Sequence, residues 1–206
     1  MKITIALVLG LLMICATTTA QANIILNPGF ETADGGSGAQ NWFNWYDSDN
    51  GVSQQRVTDV FRNGAASANT KFTATTDYTI GGWGQVLTGW TAGQMLYTDM
   101  WAKVSVTGDV YAQVKFEAAT PGGTEDFWGP STANNSWTSL AYNFTIPGDT
   151  TELKMLGVHV ASAGTNNGDI YFDDAYADLT PVPEPSTLLL LTSGLAGLFT
   201  IVRKKR

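Results

Sequence analysis

The sequence has little cysteine, little histidine and few charged residues: its 206 residues include one cysteine and one histidine, and 14% are charged. One cysteine forms neither an internal disulfide nor a cysteine-rich zinc site, and one histidine leaves little for histidine-based catalysis. Lysine and arginine number 11 against 18 aspartate and glutamate. Because an acidic chain repels phosphate backbones, this balance argues against nucleic acid as a partner.

The first 22 residues have the pattern of a secretory signal peptide. Lys2 supplies a positive charge, residues 3–14 are apolar, and Ala20-Gln21-Ala22 fits the small-x-small cleavage pattern. An uncleaved anchor is the alternative, which the short apolar run disfavours. The only cysteine, Cys15, lies in this segment. The mature chain would therefore lack disulfides and would need a full-sized core or a bound metal for stability.

Residues 182–206 fall into three parts. Val182-Pro183-Glu184-Pro185 is extended, because each proline disfavours helix before it. Residues 186–202 are 17 uncharged, mostly apolar residues, the lower end of the length of a membrane-spanning helix. The basic residues 203–206 would stay in the cytoplasm by the positive-inside rule. A buried core helix is the alternative, which four charges at the end disfavour.

The order of these three parts resembles the PEP-CTERM sorting signal, an address rather than a fold. The resemblance implies that Pro183, Glu184 and Pro185 are recognised by exosortase, an integral membrane enzyme of Gram-negative bacteria. It also implies a chain anchored in the inner membrane before processing and then delivered to the cell envelope or the exterior.

Residues 23–181 form the predicted exported domain. This range holds six lysine and arginine residues against 17 aspartate and glutamate residues, a net charge of −11. Such a surface repels anionic partners and suits cations or neutral ligands. The 44% hydrophobic and 11% aromatic content of the whole chain is enough for a real core.

Period-two alternation predicts an all-β domain, most clearly in Leu96–Val106 and Val110–Ala118. A short loop, Thr107-Gly108-Asp109, would join these two strands as a hairpin with both apolar sets on one face. That register places Trp101 opposite Lys115, and Tyr111 opposite Ser105. The polar face would then carry aromatic rings, as a sugar-binding face needs.

Further strands with similar spacing predict a β-sandwich of the jelly-roll type. Pro121–Asn135 reads as a long loop. The remaining strand candidates are Asn23–Leu26, Gly51–Val57, Ser67–Thr75, Gly84–Leu87, Ser136–Thr145, Glu152–Val160 and Asp169–Leu179.

Several short motifs, in order along the chain, resemble carbohydrate-binding modules of the CBM4/9/22 kind. The resemblance implies a galactose-binding-like jelly roll, a fold that also serves as a spacer or adhesion unit without a glycan ligand. The motifs are Asn23–Glu31 with Asn41-Trp42, Gly84-Gln85-Val86 with Ala92-Gly93, Trp137-Thr138 before residues 142–147, and Ile170–Asp174.

Two acidic residues near the ends of the domain are candidate metal ligands. Glu31 follows the first predicted strand and Asp173 lies in the last, and these strands are neighbours in such a sandwich. Two carboxylates meeting there would repel each other unless a cation lay between them. The resemblance implies a structural Ca²⁺ at this place with the Gly29 carbonyl as a ligand. Asp174 is the alternative to Asp173, and turn capping or pairing with lysine is the alternative to metal.

Aromatic side chains outside the core are candidates for stacking on sugar rings. The resemblance implies that Trp42 is in the core, whereas Trp83 lies in a glycine-rich stretch that favours exposure, and Trp90 and Trp137 are assigned to packing. For Trp45, packing and binding are both open. The candidate ligand-binding residues are Trp45, Tyr97, Trp101, Tyr111 and Trp128.

No pattern in the sequence selects catalytic residues. His159 alternates with valines as a core or surface histidine does, and no motif pairs Glu117, Glu125 or Asp126 as a catalytic acid and base. The sequence therefore predicts a non-catalytic exported protein that binds a surface or matrix polysaccharide. A structural or adhesive matrix protein is the first alternative and a glycan-acting enzyme the second.

Overall fold

The computed structural model describes residues 23–46 and 51–179 and confirms an all-β fold. Those two ranges contain eleven strands and no helix, so they contain no helix able to cross a membrane. The predicted signal peptide (1–22) and sorting segment (182–206) lie outside the described residues. The strands are β1 Phe43–Tyr46, β2 Val52–Val57, β3 Ser67–Thr75, β4 Thr79–Val86, β5 Met95–Thr107, β6 Val110–Thr120, β7 Gly123–Thr132, β8 Thr138–Ser139, β9 Tyr142–Thr145, β10 Glu152–Ala161 and β11 Asn166–Asp178.

The strands form two antiparallel sheets that face each other, which confirms the predicted jelly-roll sandwich. One is a five-stranded sheet in the order β1-β4-β10-β6-β7. The other is a six-stranded sheet in the order β2-β3-β11-β5-β8, with β9 also pairing with β5. The central strands of the two sheets, β10 and β11, are long and adjacent in sequence, so the chain passes from one sheet to the other between them.

The core lies between the sheets and is built from the alternate residues of each strand. Met100 of β5, Phe116 of β6 and Phe172 of β11 are fully buried there. Gly157 of β10 allows the sheets to approach closely at this point. A Cβ atom on it would lie 2.6 Å from the Met100 sulfur and 2.9 Å from the Phe172 ring. A larger residue at position 157 would therefore have to displace the side chains of Met100 and Phe172 in a closely packed interior.

The predicted hairpin of β5 and β6 is wrong. β5 pairs with β11, β8 and β9, whereas β6 pairs with β10 and β7 in the opposite sheet. Trp101 is opposite Ser139 and Asp173 rather than Lys115, and Tyr111 is opposite Val160 rather than Ser105. The apolar sets do meet, because both face the interior across the sandwich. Alternation indicates which side chains face the interior, but it does not indicate whether the two strands pair with each other in one sheet.

Two other segment predictions need correction. Asn23–Leu26 is not a strand, although it lies beside β11, where the Ile24 amide donates to the Ala177 carbonyl at 2.9 Å. Pro121–Asn135, predicted as a loop, contains β7, and β1 was not predicted at all. Both β1 and β7 are edge strands. An edge strand has weaker burial on each side, so its sequence carries less alternation.

Trp83 and His159 are buried inside the sandwich. Trp83, predicted to be exposed, is in β4 with 1% of its surface exposed. His159 of β10 packs edge-on against Phe72, and neither ring nitrogen has a hydrogen-bond partner in the described part of the chain. Burial lowers the pKa of His159 to about 3. The imidazole is therefore neutral in the folded chain at every pH at which the protein is expected to work.

Replacing His159 with Leu should reduce the loss of stability in acid. The unfolded chain binds a proton near pH 6.5, while the folded chain stays neutral until about pH 3. The free energy of unfolding therefore falls as the pH drops below 6.5, because only the unfolded chain binds a proton at His159. The loss from this residue is about 2 kcal/mol at pH 5. Urea unfolding of wild type and His159→Leu at pH 7.5 and pH 5 measures this difference. An equal loss in both proteins would contradict it.

Candidate functional site

The outer face of the five-stranded sheet carries four aromatic rings. Residues directly opposite each other in neighbouring strands point to the same side of a sheet. One row runs from Phe43 through Gly84, Leu156 and Lys115 to Trp128. A parallel row contains Trp45, Gly82, Val158 and Gln113, and the next contains Ile80, Val160 and Tyr111. We call this surface, with Phe43, Trp45, Tyr111 and Trp128, the ring face.

The middle of the ring face has a small hydrophobic cluster of its own. Leu156, Val158 and Val160 of β10 point outward, yet none is more than 6% exposed. They are covered by Trp45, Ile80 and Tyr111. Trp45 and Tyr111 are therefore half-buried rings that rest on an aliphatic floor and keep part of their surface in solvent. Such support holds a ring in one orientation before a ligand arrives.

A buried lysine lies beside Trp128 at the other end of the ring face. The Lys115 ammonium is 2.8 Å from Glu117 Oε1, 3.0 Å from Asp126 Oδ2 and 4.7 Å from the centre of the Trp128 ring. Burial opposes its charge, but the hydrogen bonds and attraction of the two carboxylates outweigh burial and raise the pKa of Lys115 above its ordinary value. The ammonium therefore stays charged and holds Trp128, which is 41% exposed.

The sequence analysis missed Phe43, which the structure places on the ring face. Its ring lies over Gly84, where a Cβ atom would be 2.5 Å from Phe43 Cζ, and it is 38% exposed. A signal was present, because Phe43 precedes Trp45 by two residues and strand neighbours at that spacing share a face. It was overlooked because β1 was not predicted to be a strand.

Three of the five predicted ligand-binding residues, Trp45, Tyr111 and Trp128, come together on the ring face. The other two, Tyr97 and Trp101, are on β5 and point to the outer face of the six-stranded sheet, on the opposite side of the sandwich. The Arg62 guanidinium lies 3.7 Å from the centre of the Trp101 ring. Trp101 therefore already has an intramolecular partner over one face of its ring.

The predicted metal ligands Gly29, Glu31 and Asp173 lie close together. A Cβ atom on Gly29 would be 3.4 Å from Glu31 Oε1 and 3.7 Å from Asp173 Oδ1. In the described part of the chain, neither carboxylate forms an ion pair with a lysine or arginine. Arg62 instead pairs with the alternative residue, Asp174. Two carboxylates and a nearby carbonyl are oxygen donors of the kind that Ca²⁺ takes, so the residue types fit the ion.

Asp173 is fully buried, and its surroundings are polar but not cationic. Its carboxylate accepts backbone hydrogen bonds from Arg62 at 2.7 Å, Asn63 at 3.3 Å and Asp174 at 2.8 Å. Burial nonetheless raises the pKa of Asp173 to about 6. Within residues 23–46 and 51–179, no three histidine, cysteine, aspartate or glutamate side chains converge as a metal site. A cation here would therefore depend on Glu31, Asp173 and backbone oxygen.

The family model of the PEP-CTERM protein-sorting motif matches residues 181–206. The chain thus carries this motif, and the predicted Pro183, Glu184 and Pro185 fall within the match. The motif implies export, with anchoring in the membrane before processing and a final location at the surface or outside the cell. No curated protein matches the chain.

Solved structures with the same fold include carbohydrate-binding modules. The C-terminal family 22 module of Clostridium thermocellum Xyn10B is 15% identical with a TM-score of 0.57, over 77% of this chain and 95% of that one. The CBM22-1 xylan-binding domain of Paenibacillus barcinonensis Xyn10C is 15% identical with a TM-score of 0.56, over 81% and 100%.

A larger phage protein contains the same fold. The enzymatically active domain of tailspike protein 4 of bacteriophage CBA120 is 15% identical with a TM-score of 0.54, over 76% of this chain. This chain spans only 21% of the length of that tailspike domain. The similarity to all three proteins concerns the fold.

Removing the charge of Lys115 should destabilise the protein. Lys115→Met leaves Glu117 and Asp126 facing each other without their shared ammonium, at a cost of about 2 kcal/mol. Lys154→Met is the matched control, because Lys154 is more exposed and pairs with Glu152 at 3.2 Å near solvent. Its loss should cost less than about 1 kcal/mol. Urea unfolding at pH 7.5 measures both, and equal costs would contradict the role given to Lys115.

Proposed function

We propose that this chain is an exported, non-catalytic protein that binds a cell-surface or matrix polysaccharide through the ring face. The observation that carries the proposal is the set of four partly exposed rings on one side of the five-stranded sheet. Sugars present flat C–H surfaces that stack on aromatic rings, and polar groups beside the rings bond to the hydroxyls. The amide of Gln113 and the carboxylates of Glu117 and Asp126, which keep exposed surface near the rings, supply such groups.

The charges of the ring face favour a neutral glycan. Lys115 is already neutralised by Glu117 and Asp126, and Lys154 lies near Glu117 and Glu152. The local sum of these five groups is negative, as is that of the whole exported domain. An anionic polysaccharide would be repelled, whereas a neutral chain such as xylan, the ligand named for one structural neighbour, would not.

The glycan-acting enzyme and the adhesive protein have less support. Glycoside hydrolysis needs an acid and a base or nucleophile that face each other across the substrate. Glu117 and Asp126 both bind the Lys115 ammonium instead, on one side of the sheet. A jelly roll that serves only as a structural unit would bury Trp45, Trp101 and Tyr111, whereas all three keep part of their surface exposed.

Delivery to the envelope follows from the two terminal segments. We propose that residues 1–22 direct secretion and that residues 186–202 hold the chain in the inner membrane. An exosortase-type enzyme would then recognise Pro183, Glu184 and Pro185 within the sorting motif. The exported domain would thereby be placed where surface and matrix polysaccharides occur.

We also propose that a structural Ca²⁺ joins the two ends of the exported domain. The carboxylates of Glu31 and Asp173 and the carbonyl of Gly29 would hold it. The ion would supply the positive charge that two converging carboxylates need, and it would bind the N-terminal segment to β11 in a domain without disulfides. Support comes from the two carboxylate oxygens, which lie 3.4 and 3.7 Å from the position that a Cβ atom on Gly29 would take.

Replacing Trp128 with Ala should weaken polysaccharide binding by about tenfold, the usual cost of losing one well-placed aromatic contact. Affinity electrophoresis of the full chain in mild detergent, through gels containing xylan, β-glucan or galactan, measures the effect. The control is Phe61→Ala, because Phe61 is 40% exposed and its neighbour Arg62 donates to Asp173 of the six-stranded sheet, away from the ring face. Retardation by none of a broad set of polysaccharides, or equal retardation of Trp128→Ala and wild type, would contradict the proposed function.

Calcium should raise the melting temperature of the full chain. At a Ca²⁺ concentration of about 100 times its Kd the gain is about 2.7 kcal/mol, or about 5–10 °C for a domain of this size. Asp173→Asn should abolish the rise, whereas Asp149→Asn, at an exposed loop position, should keep it. Melting is followed by circular dichroism with Ca²⁺ and with a chelator. The same response in all three proteins, or in none, would rule out this site.

A further inference from the structure

A second pair of aromatic rings lies on the outer face of the six-stranded sheet. Tyr171 of β11 is directly opposite Lys103 of β5. Trp137 immediately precedes Thr138, which is opposite Ala102 of β5, so Trp137 flanks Lys103 on its other side. The centres of the Trp137 and Tyr171 rings are 6.5 Å apart and their planes are inclined by 58°. The two rings therefore form a V, with position 103 of β5 between positions 137 and 171 across the sheet.

These rings do not serve the core. Both are partly exposed, and neither belongs to the hydrophobic clusters formed by the described residues. Trp137, which the sequence analysis assigned to packing, packs instead against a ring on the outside of the sandwich. Two large side chains left outside the interior with exposed surface are what a stacking ligand needs.

Hydrogen-bonding groups surround the pair. Within the described chain the Lys103 ammonium forms no ion pair, unlike Lys115 on the ring face, and so it has free donors. The Asn69 amide beside Tyr171 is buried and donates to Asp169 Oδ1 at 3.1 Å, so it fixes Asp169 rather than facing a ligand. Burial first, and then the charges of Asp169 and Asp59, raise the pKa of Tyr171 above its ordinary value. The phenol therefore keeps its proton and can donate a hydrogen bond.

The charges around the V give an acidic ligand no net attraction. Asp169 and Asp59 are the carboxylates whose fields reach Tyr171, and they are balanced by the ammonium groups of Lys103 and of Lys71, which is directly opposite Asp169. A sugar carrying a carboxylate or sulfate would lose hydration without a compensating attraction, whereas a neutral sugar would gain the ring contacts and the donors without that cost. The occupant that fits is therefore a neutral glycan.

We propose that Trp137, Tyr171 and Lys103 form a second binding surface for a neutral polysaccharide, independent of the ring face. This inference rests on the proposed function of the ring face. The two surfaces are on the outer sides of opposite sheets, separated by the core, so one short stretch of polysaccharide cannot reach both. A single protein would then bridge two polysaccharide chains and cross-link a matrix.

Calorimetric titration of the full chain with xylohexaose, and with a β-1,4-galactan oligosaccharide as an alternative probe, tests the second surface. Wild type should bind two oligosaccharides per chain. Trp137→Ala and Trp128→Ala should each bind one, and the double variant none. Soluble xylan or galactan mixed with wild type should turn turbid through cross-linking, and each single variant should abolish the turbidity. Thermal melting confirms that each variant is folded.

The outcomes separate this inference from the proposed function. One oligosaccharide per wild-type chain, with Trp137→Ala unchanged and Trp128→Ala inactive, would overturn the second surface and leave the ring face intact. Binding lost in Trp137→Ala but kept in Trp128→Ala would overturn the ring face and support the second surface. Binding by neither surface to either probe would overturn both, and so would stronger binding to an acidic oligosaccharide such as polygalacturonate.

Discussion

Closure of two sheets over one interior is the constraint on which the rest of this molecule depends. The side chain of each strand residue points either inward or outward, and the inward side chains must pack closely with one another. Met100, Phe116 and Phe172 meet there, and Gly157 lets the sheets approach at that point. Every alternate residue is thereby committed to an outer face. The positions of the exposed rings are a consequence of how the core packs.

The side chains on the outer faces nevertheless pack against one another. On the ring face, β10 contributes a row of aliphatic side chains that Trp45 and Tyr111 cover. At its edge Lys115 holds Trp128 while two carboxylates hold Lys115. Rings fixed in this way lose little conformational entropy when a ligand stacks on them, which is how a shallow surface gains affinity. The same packing that stabilises the sheet therefore also prepares the site.

The sequence predicts well which side chains lie on the inner and outer faces of the sheets, but it predicts poorly which strands pair with each other. Alternation in β5 and β6 correctly separated inward from outward residues, and it identified Trp101 and Tyr111 as outward rings, whereas Trp45 and Trp128 were chosen because they lie in segments predicted to be loops. It could not show that β5 and β6 belong to opposite sheets. Two strands show the same alternation of apolar and polar residues whether they pair within one sheet or face each other across the core. Tyr97 and Trp101 were consequently assigned to a common face with Tyr111, whereas they lie on the other side of the sandwich.

Residues whose positions depend on contacts with distant segments of the chain were harder to predict from the sequence. Phe43 and Trp137 lie in short or irregular segments where no alternation marks a face, and only the fold shows what they pack against. The approach of Glu31 to Asp173 was predictable, because terminal strands of a jelly roll are neighbours and the resemblance named both residues. The loop around Arg62, which donates backbone hydrogen bonds to Asp173 and pairs with Asp174, was not, since nothing in its own sequence indicates where it docks.

The indole N–H resonances of the seven tryptophans report most directly on the claim that the ring face binds polysaccharide. They can be assigned one by one through substitution and followed by NMR as xylan oligosaccharide is added to the full chain. The account predicts that the resonances of Trp45 and Trp128 shift on titration, while those of the core residues Trp42 and Trp83 stay in place. Saturating ligand that leaves Trp45 and Trp128 unmoved would contradict it.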